Sequence, residues 1–564
     1  MKTTLLIFEA VVLSTILCLH PQWAQAATLT ITSTADSGIG SLREALANAS
    51  DGDTIDATGV SGMILLTSGE LVVSKSVNIL GPGPNTLAVD GNATSRVFHI
   101  TNGVTATIFG LTITNGHAFW GAGIYNEKSS VTVNNCTLRG NSASDGGGIF
   151  NDHATSTVSN SVISDNSVPG FGGGIINDVE SGGSATLTVV NSTLGNNSAV
   201  QGGGIYNIVT TSGRATLLIA NSILSSNYSF GNGGGGIYNW GVEGASIATL
   251  TIVNCSLNGN SAGSAAGGGI ANIGSDGGSA TLTVVKSTLN GNTEASYGGG
   301  IFNNGFAGGG NATLLIADST LSGNSATSSG GGVCNIGEYS GSAQLQIINS
   351  TLSGNSAPQG ASIFNNMLPD GLPSIASVEI GSTILEAGTS GETITNDSGT
   401  VTSLGYNLSS DDGGGYLTNA TDQINTGPML GPLQDNGGPT FTHALLRGSP
   451  AIDKGTNFTG AVTDQRGQPR TYDNPGLANA AGGEGTDIGA FEFIPPALAI
   501  TPNYGNVILS WPAGESGYKV ESTTLLGSSA NWTTVPGTPI VIGNQHFLGD
   551  GPVTGSKFYR LRSP

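Results

Sequence analysis

The chain has 564 residues but only 16 Lys+Arg against 37 Asp+Glu, a formal charge of -21. Between Gly140 and Leu446 the only basic residues are Arg214 and Lys286. With no basic stripe to neutralise phosphates, nucleic acid is excluded as a partner, and anionic lipid is disfavoured for the same reason. Charged residues are only 9% of the chain, which argues against disorder driven by high charge. Cysteine is scarce: Cys18, Cys136, Cys255 and Cys334. Cys18 lies in the leader described below, and the odd number left is no disulfide framework. Cys136, Cys255 and Cys334 are therefore expected to be small buried apolar residues. His and Cys show no zinc spacing. No Gly-x-Ser-x-Gly elbow stands in a suitable context, and no Gly run leads from a strand into a helix as a phosphate loop requires. After the leader, no segment is apolar enough to span a membrane.

The leader is residues 1–26. Lys2 supplies a positive start, Leu5 to Leu19 an apolar run, and Ala24-Gln25-Ala26 a small-x-small cleavage site. The run is too short to cross a bilayer comfortably, so it reads as a secretory signal peptide. The expected location is secreted or at the cell surface, with outer-membrane association one form of the latter, and the expected state is a monomer.

What the chain has in excess is glycine, 91 residues, without the three-residue period of collagen. The glycines fall in a repeat. Gly121-Ala122-Gly123-Ile124-Tyr125-Asn126 returns at Gly146, Gly172, Gly202, Gly234, Gly267, Gly298 and Gly330, with a decayed copy from Gly360 to Asn365. A second motif runs in phase: Asn191-Ser192-Thr193-Leu194 leads to Asn197, and Asn349-Ser350-Thr351-Leu352 leads to Asn355. Between them lie alternating strands such as Ala185-Thr186-Leu187-Thr188-Val189. Three short strands per repeat, with no helical period, predict a parallel β-solenoid. Identical positions then stack at ~4.8 Å per coil. The Gly triplets permit tight turns, Asn columns can hydrogen-bond along the axis, and Ile, Leu and Val fill the interior. Cys136 and Cys255, four coils apart in one column, are too distant to bridge. Insertions such as Gly241 to Ser246 are expected to bulge from one face as loops. Ser41-Leu42-Arg43-Glu44 reads as a capping box opening a short helix over the first coil.

These repeats resemble those of chlamydial polymorphic outer membrane proteins, with Leu352-x-x-Asn355 where those carry Phe-x-x-Asn. Ser41-Leu42-Arg43-Glu44-Ala45 is similar to an N-terminal segment of bacterial secreted β-helix proteins. Asn436-Gly437-Gly438-Pro439-Thr440, Ser449-Pro450-Ala451-Ile452-Asp453, Asp464-Gln465-Arg466-Gly467 and Asp487-Ile488-Gly489-Ala490-Phe491-Glu492 resemble a choice-of-anchor Q domain protein. The resemblance implies an all-β fold, a right-handed parallel β-helix of the pectin-lyase-like class, exported and surface-attached. Unlike the chlamydial proteins, the chain has no barrel-sized run of amphipathic ~10-residue strands near residue 564. Residues 498–564 resemble a small fibronectin type III-like β-sandwich, with Trp511 and Trp532 expected in its core. The expected organisation is a signal peptide (1–26), an N-terminal cap and irregular coils (27–120), regular repeats (121–380), C-terminal coils and cap (381–493) and the sandwich module (494–564).

A pectin-lyase-like fold hosts enzymes and non-enzymes, so chemistry must be sought in side chains. The residue after the repeat Asn is Glu127, Asp152 and Asp178 in three successive coils, then Ile208, Trp240 and Ile273. Three stacked carboxylates ~5 Å apart repel by about 1 kcal/mol per adjacent pair in water and about 3 at an effective dielectric of 20. Two readings follow: a Ca²⁺ or cationic-group site, or a solvated acidic edge screened by Lys128. Lys128 and Arg139 belong to the first of these coils and His153 to the second. A second acidic group, Asp464, Asp473, Asp487 and Glu492 with Arg466 and Arg470, reads either as a metal or glycan site or as an ion-paired closure of the C-terminal cap. No catalytic or cofactor-binding residue is assigned. The expected function is structural or adhesive, a polar surface contacting extracellular glycan or protein without turnover. The alternative is a polysaccharide lyase or glycoside hydrolase.

Overall fold

The computed structural model describes residues 26–562, apart from 265, 369–372, 513–516, 529, 544 and 554. Residues 1–25 of the predicted signal peptide lie outside the described residues. The chain is all-β, and its main body is a parallel β-solenoid. Three faces run its length. The first has fourteen strands, from Thr28–Thr30 to Thr400–Gly405; the second has twelve, from Leu71–Val73 to Ile394–Asp397; the third has thirteen, from Gly62–Leu65 to Leu408–Ser409. Fourteen strands at ~4.8 Å make a rod of roughly 60 Å. Every pairing within these faces is parallel, and the register shifts only near Ser353–Asn355 and Ile380–Gly381, so Ile205 sits over Ile175 and under Ile237.

Alternation sets which side chains enter. On the second face Ile205 and Asn207 point inward while Tyr206 and Ile208 point outward. The inward Ile, Leu and Val form one continuous core from Ile31 to Leu417. The inward Asn residues survive because they pair from coil to coil. The ladder on the second face runs from Asn126 to Asn396, each Nδ2 donating to the Oδ1 of the next Asn at 2.6–2.9 Å. A parallel ladder runs from Asn141 through Asn197 and Asn260 to Asn355 at 2.9–3.0 Å. Cys136 and Cys255 replace Ser in a third column, in which Ser161 Oγ accepts the Cys136 N–H and Ser287 Oγ the Cys255 N–H. Their thiols donate to backbone carbonyls as the Ser hydroxyls do. All three described cysteines are free and buried, as expected.

The glycine triplet is a packing requirement. Gly202 has φ +63°, and a Cβ on Gly204 would lie 2.5 Å from the Gly236 carbonyl oxygen. The insertions do not bulge as the loops the sequence predicts. Extra residues recur at one corner of successive coils, so they pair with each other and lengthen strands instead. Ser212–Ala220 and Ala245–Val253 are nine-residue strands, with Ser212 opposite Ala245 and Gly213 opposite Ser246.

Both ends are covered. The helix Leu42–Asn48 buries Leu42, Ala45 and Leu46 over the first coils. Ser41 Oγ accepts the Glu44 N–H at 3.2 Å, and Glu44 Oε2 accepts the Gly40 N–H at 2.6 Å, a capping box displaced by one residue. At the far end Leu417 closes the core. The chain then folds back along the outside of the third face. There Gln465 donates to Thr288 Oγ1 at 2.9 Å, Thr320 donates to Gln465 Oε1 at 2.7 Å, and the Ala490 N–H donates to Thr351 Oγ1 at 3.0 Å. Residues 499–562 form two antiparallel sheets of four and three strands around Leu509, Trp511, Val520, Val535 and Leu548. Trp511 is in this core as expected, whereas Trp532 is half-buried under the Arg560 guanidinium, 4.3 Å from its ring.

Candidate functional site: the outer flank of the second face

The outward residues of the second face form two columns. One carries Tyr125, Phe150, Ile176, Tyr206, Tyr238, Ala271, Phe302, Cys334 and Phe364; the other carries Glu127, Asp152, Asp178, Ile208, Trp240, Ile273, Asn304, Ile336 and Asn366. The predicted acidic stack is therefore real: Glu127 is opposite Asp152, and Asp152 opposite Asp178.

The stack is not left to solvent, and its counter-charges differ from those the sequence suggested. His99, from the preceding coil, donates Nε2–H to Glu127 at 3.1 Å and Nδ1–H to Glu70 at 3.2 Å. Those bonds, to Glu70 first, raise the His99 pKa and hold its proton. Arg96 Nη1 donates to Glu70 at 2.5 Å. Asp152 accepts from Tyr125 Oη at 2.9 Å and from His153 Nδ1 at 2.6 Å. Asp178 is only 7% exposed, and burial, followed by repulsion from Glu180 and Asp152, pushes its pKa up to about 7. Arg139 is placed elsewhere, in the third-face strand Thr137–Arg139, because one coil turns through all three faces. Lys128 is an exposed left-handed turn residue, φ +49°, at the end of the Glu127 strand.

Beyond Asp178 both columns turn apolar and aromatic except at Asn304 and Asn366. Phe171 stacks on Tyr206 at 5.0 Å between ring centroids, and Tyr206 on Tyr238 at 5.3 Å. The flank then opens into a cleft of about 630 Å³. Its floor includes Trp240, Phe302, Asn304 and Asn366, and its rims include Tyr297 and Phe306. Sequence reading found the acids because charge is rare here, but missed the cleft. Its signal was the aromatic at the fifth position of the Gly-triplet motif, as in Tyr206, Tyr238, Phe302 and Phe364.

The second acidic group divides. Asp464, Asp487 and Glu492 are fully buried within the fold-back segment, while Asp473 is exposed. Arg466 pairs with Asp464 at 2.8 Å, and its guanidinium lies 3.5 Å from the Phe491 ring centroid. Asp487 accepts the Asp453 N–H at 2.7 Å, and Glu492 accepts the Tyr472 N–H at 2.7 Å. Burial raises the pKa of both Asp487 and Glu492, and for Glu492 the neighbouring Asp487 charge adds to it. Arg470 is fully buried, donates to the Gly489 carbonyl at 2.6 Å and sits 3.6 Å from Asp318 on the third-face turn.

Among the described residues, no group of three or more His, Cys, Asp or Glu is placed to hold a metal ion. No helix among them is long and apolar enough to cross a membrane. No protein-family model matches the chain, and no curated protein matches it.

Proposed function

We propose that the protein is an exported, surface-displayed scaffold that contacts extracellular glycan or protein along its flank, without turnover. The supporting observation is the uninterrupted stack, which holds one outward face in register from Tyr125 to Phe364 and opens it as a cleft. Long repeat arrays act through such extended surfaces. Screening the mature chain against arrays of polysaccharides and extracellular proteins tests the reading. Saturable binding with no new reducing ends or unsaturated products is the expected result. Release of such products, or no binding at all, would count against it.

A second reading, glycoside hydrolysis, has one observation in its favour. Asp178 retains its proton towards neutral pH beside Asp152, on the next rung of the same flank. Reducing ends that appear with wild type and vanish with Asp178→Asn would favour it. A Ca²⁺ ion at Glu127, Asp152 and Asp178 remains a proposal, although His99, His153 and Tyr125 already supply partners to two of the three carboxylates. Calorimetric heat on Ca²⁺ titration that disappears in E127Q/D152N would support the ion; equal heats would end the idea.

A further inference from the structure

The two outward columns of the cleft have a period of two coils. Tyr238 and Trp240 share one coil, Phe302 and Asn304 another, and Phe364 and Asn366 a third. The coils between carry Ala271 with Ile273, and Cys334 with Ile336. Rungs with an outward aromatic thus alternate with small-plus-aliphatic rungs and recur every ~10 Å, and two of the three carry an Asn beside the aromatic.

The polar rungs hold unmet hydrogen-bonding capacity. Asn304 and Asn366 are 6% and 7% exposed, and the Oδ1 atom of each is buried without a hydrogen-bond partner. Asn304 Nδ2 is committed to Glu338 Oε1 at 2.8 Å, which fixes the direction of that amide. A buried acceptor without a donor costs about 1–3 kcal/mol, so a small turn of either side chain that brings its carbonyl to a donor-bearing ligand would be favoured. Hydroxyl groups beside aromatic rings are what a sugar presents, since its C–H face packs on the ring while its hydroxyls donate to the amides. Tyr297 and Phe306, 36% and 37% exposed, are available for that stacking. An anionic ligand is disfavoured, because Asp276, Glu338 and Asp397 line the cleft and, among its described lining residues, none is Lys, Arg or His. A peptide adding as a strand is disfavoured, because the floor is the face of a sheet whose backbone groups are already paired.

We propose that this cleft binds a neutral β-1,4-linked polysaccharide lying along the solenoid axis, with like contacts two coils apart. A β-1,4-linked pyranose ribbon turns each ring over relative to the last, so equivalent groups return at every second sugar, whereas α-1,4-linked glucans coil. The proposal deepens the scaffold reading above and rests on it.

Titration calorimetry on the mature chain tests it, with cellohexaose and N-acetylchitohexaose as probes and maltohexaose and polygalacturonate as controls. At least one probe is expected to bind saturably and neither control. Asn304→Leu/Asn366→Leu is expected to weaken binding about tenfold or more by removing both acceptors. Phe306→Ala, at an exposed rim position where folding is not at issue, is expected to weaken it as well. Binding of either control as tight as that of the probes would overturn the proposal, as would wild-type affinity in both variants. Failure of both probes would overturn it too, and would leave the scaffold reading standing if another glycan or a protein still bound on the arrays. A chain that bound nothing on either array would sink both.

Discussion

Asp178 shows how a single position on this flank couples burial to pH. An unfolded Asp ionises near pH 4, whereas the folded carboxyl keeps its proton to about pH 7, so the folded chain binds more protons between those values. Its contribution to stability is therefore full below pH 4 and falls as pH rises through 7. Asp178→Asn removes that loss. We expect the variant to melt at a higher temperature than wild type at pH 8, by up to about 4 kcal/mol in stability, with the gain vanishing near pH 4. A gain independent of pH would show that another group is responsible. The glycines allow a sharper contrast. Gly204→Ala drives a Cβ to 2.5 Å from a backbone oxygen in the next coil, whereas Gly59 has nothing within 4 Å and needs no positive φ. Thermal melts should therefore show Gly204→Ala destabilised by about 3 kcal/mol or more and Gly59→Ala within about 0.5 kcal/mol of wild type. The acids and glycines were legible in the sequence because each breaks a local rule, as a charge or a Cβ-free site in a stacked column. Glu70, Arg96 and His99 were not, because the coils before Gly121 lack the triplet that sets the phase.

At the scale of an element, the interior ladders and the fold-back segment carry separate predictions. Asn207 both accepts from Asn177 and donates to Asn239. Replacing it with Leu leaves one donor and one acceptor buried without partners, at an expected cost of about 2–5 kcal/mol in denaturant unfolding. Arg466→Ala strips the charged partner from Asp464, whose side chain is fully buried, and leaves the carboxylate only its backbone N–H donors. The expected loss is about 3–5 kcal/mol, read as a lower melting temperature; an unchanged melt would contradict the closure role. Strand positions within each repeat were readable from alternation, since inward Leu and outward Thr follow the period of two. The fold-back onto the third face was not. The Thr288, Thr320 and Thr351 column looks like any solvated Thr column, and only the later segment makes it a buried interface.

For the whole molecule, the sequence period specified a stack but not which side of it would open. Loops between faces wall the second face, so outward Tyr, Phe and Ile become a buried second cluster rather than an exposed surface. The account as a whole depends on coils being interchangeable units joined through register. Deleting residues 205–236 tests that dependence most directly, because it joins Gly204 to Ile237 just as Gly204 now joins Ile205. The account predicts a folded rod about 5 Å shorter, with one cooperative melt and β-sheet circular dichroism retained. Removing only residues 205–220, which puts inward and outward columns out of step, is predicted to abolish that melt. Loss of folding in the whole-coil deletion, or equal stability of the two deletions, would contradict it.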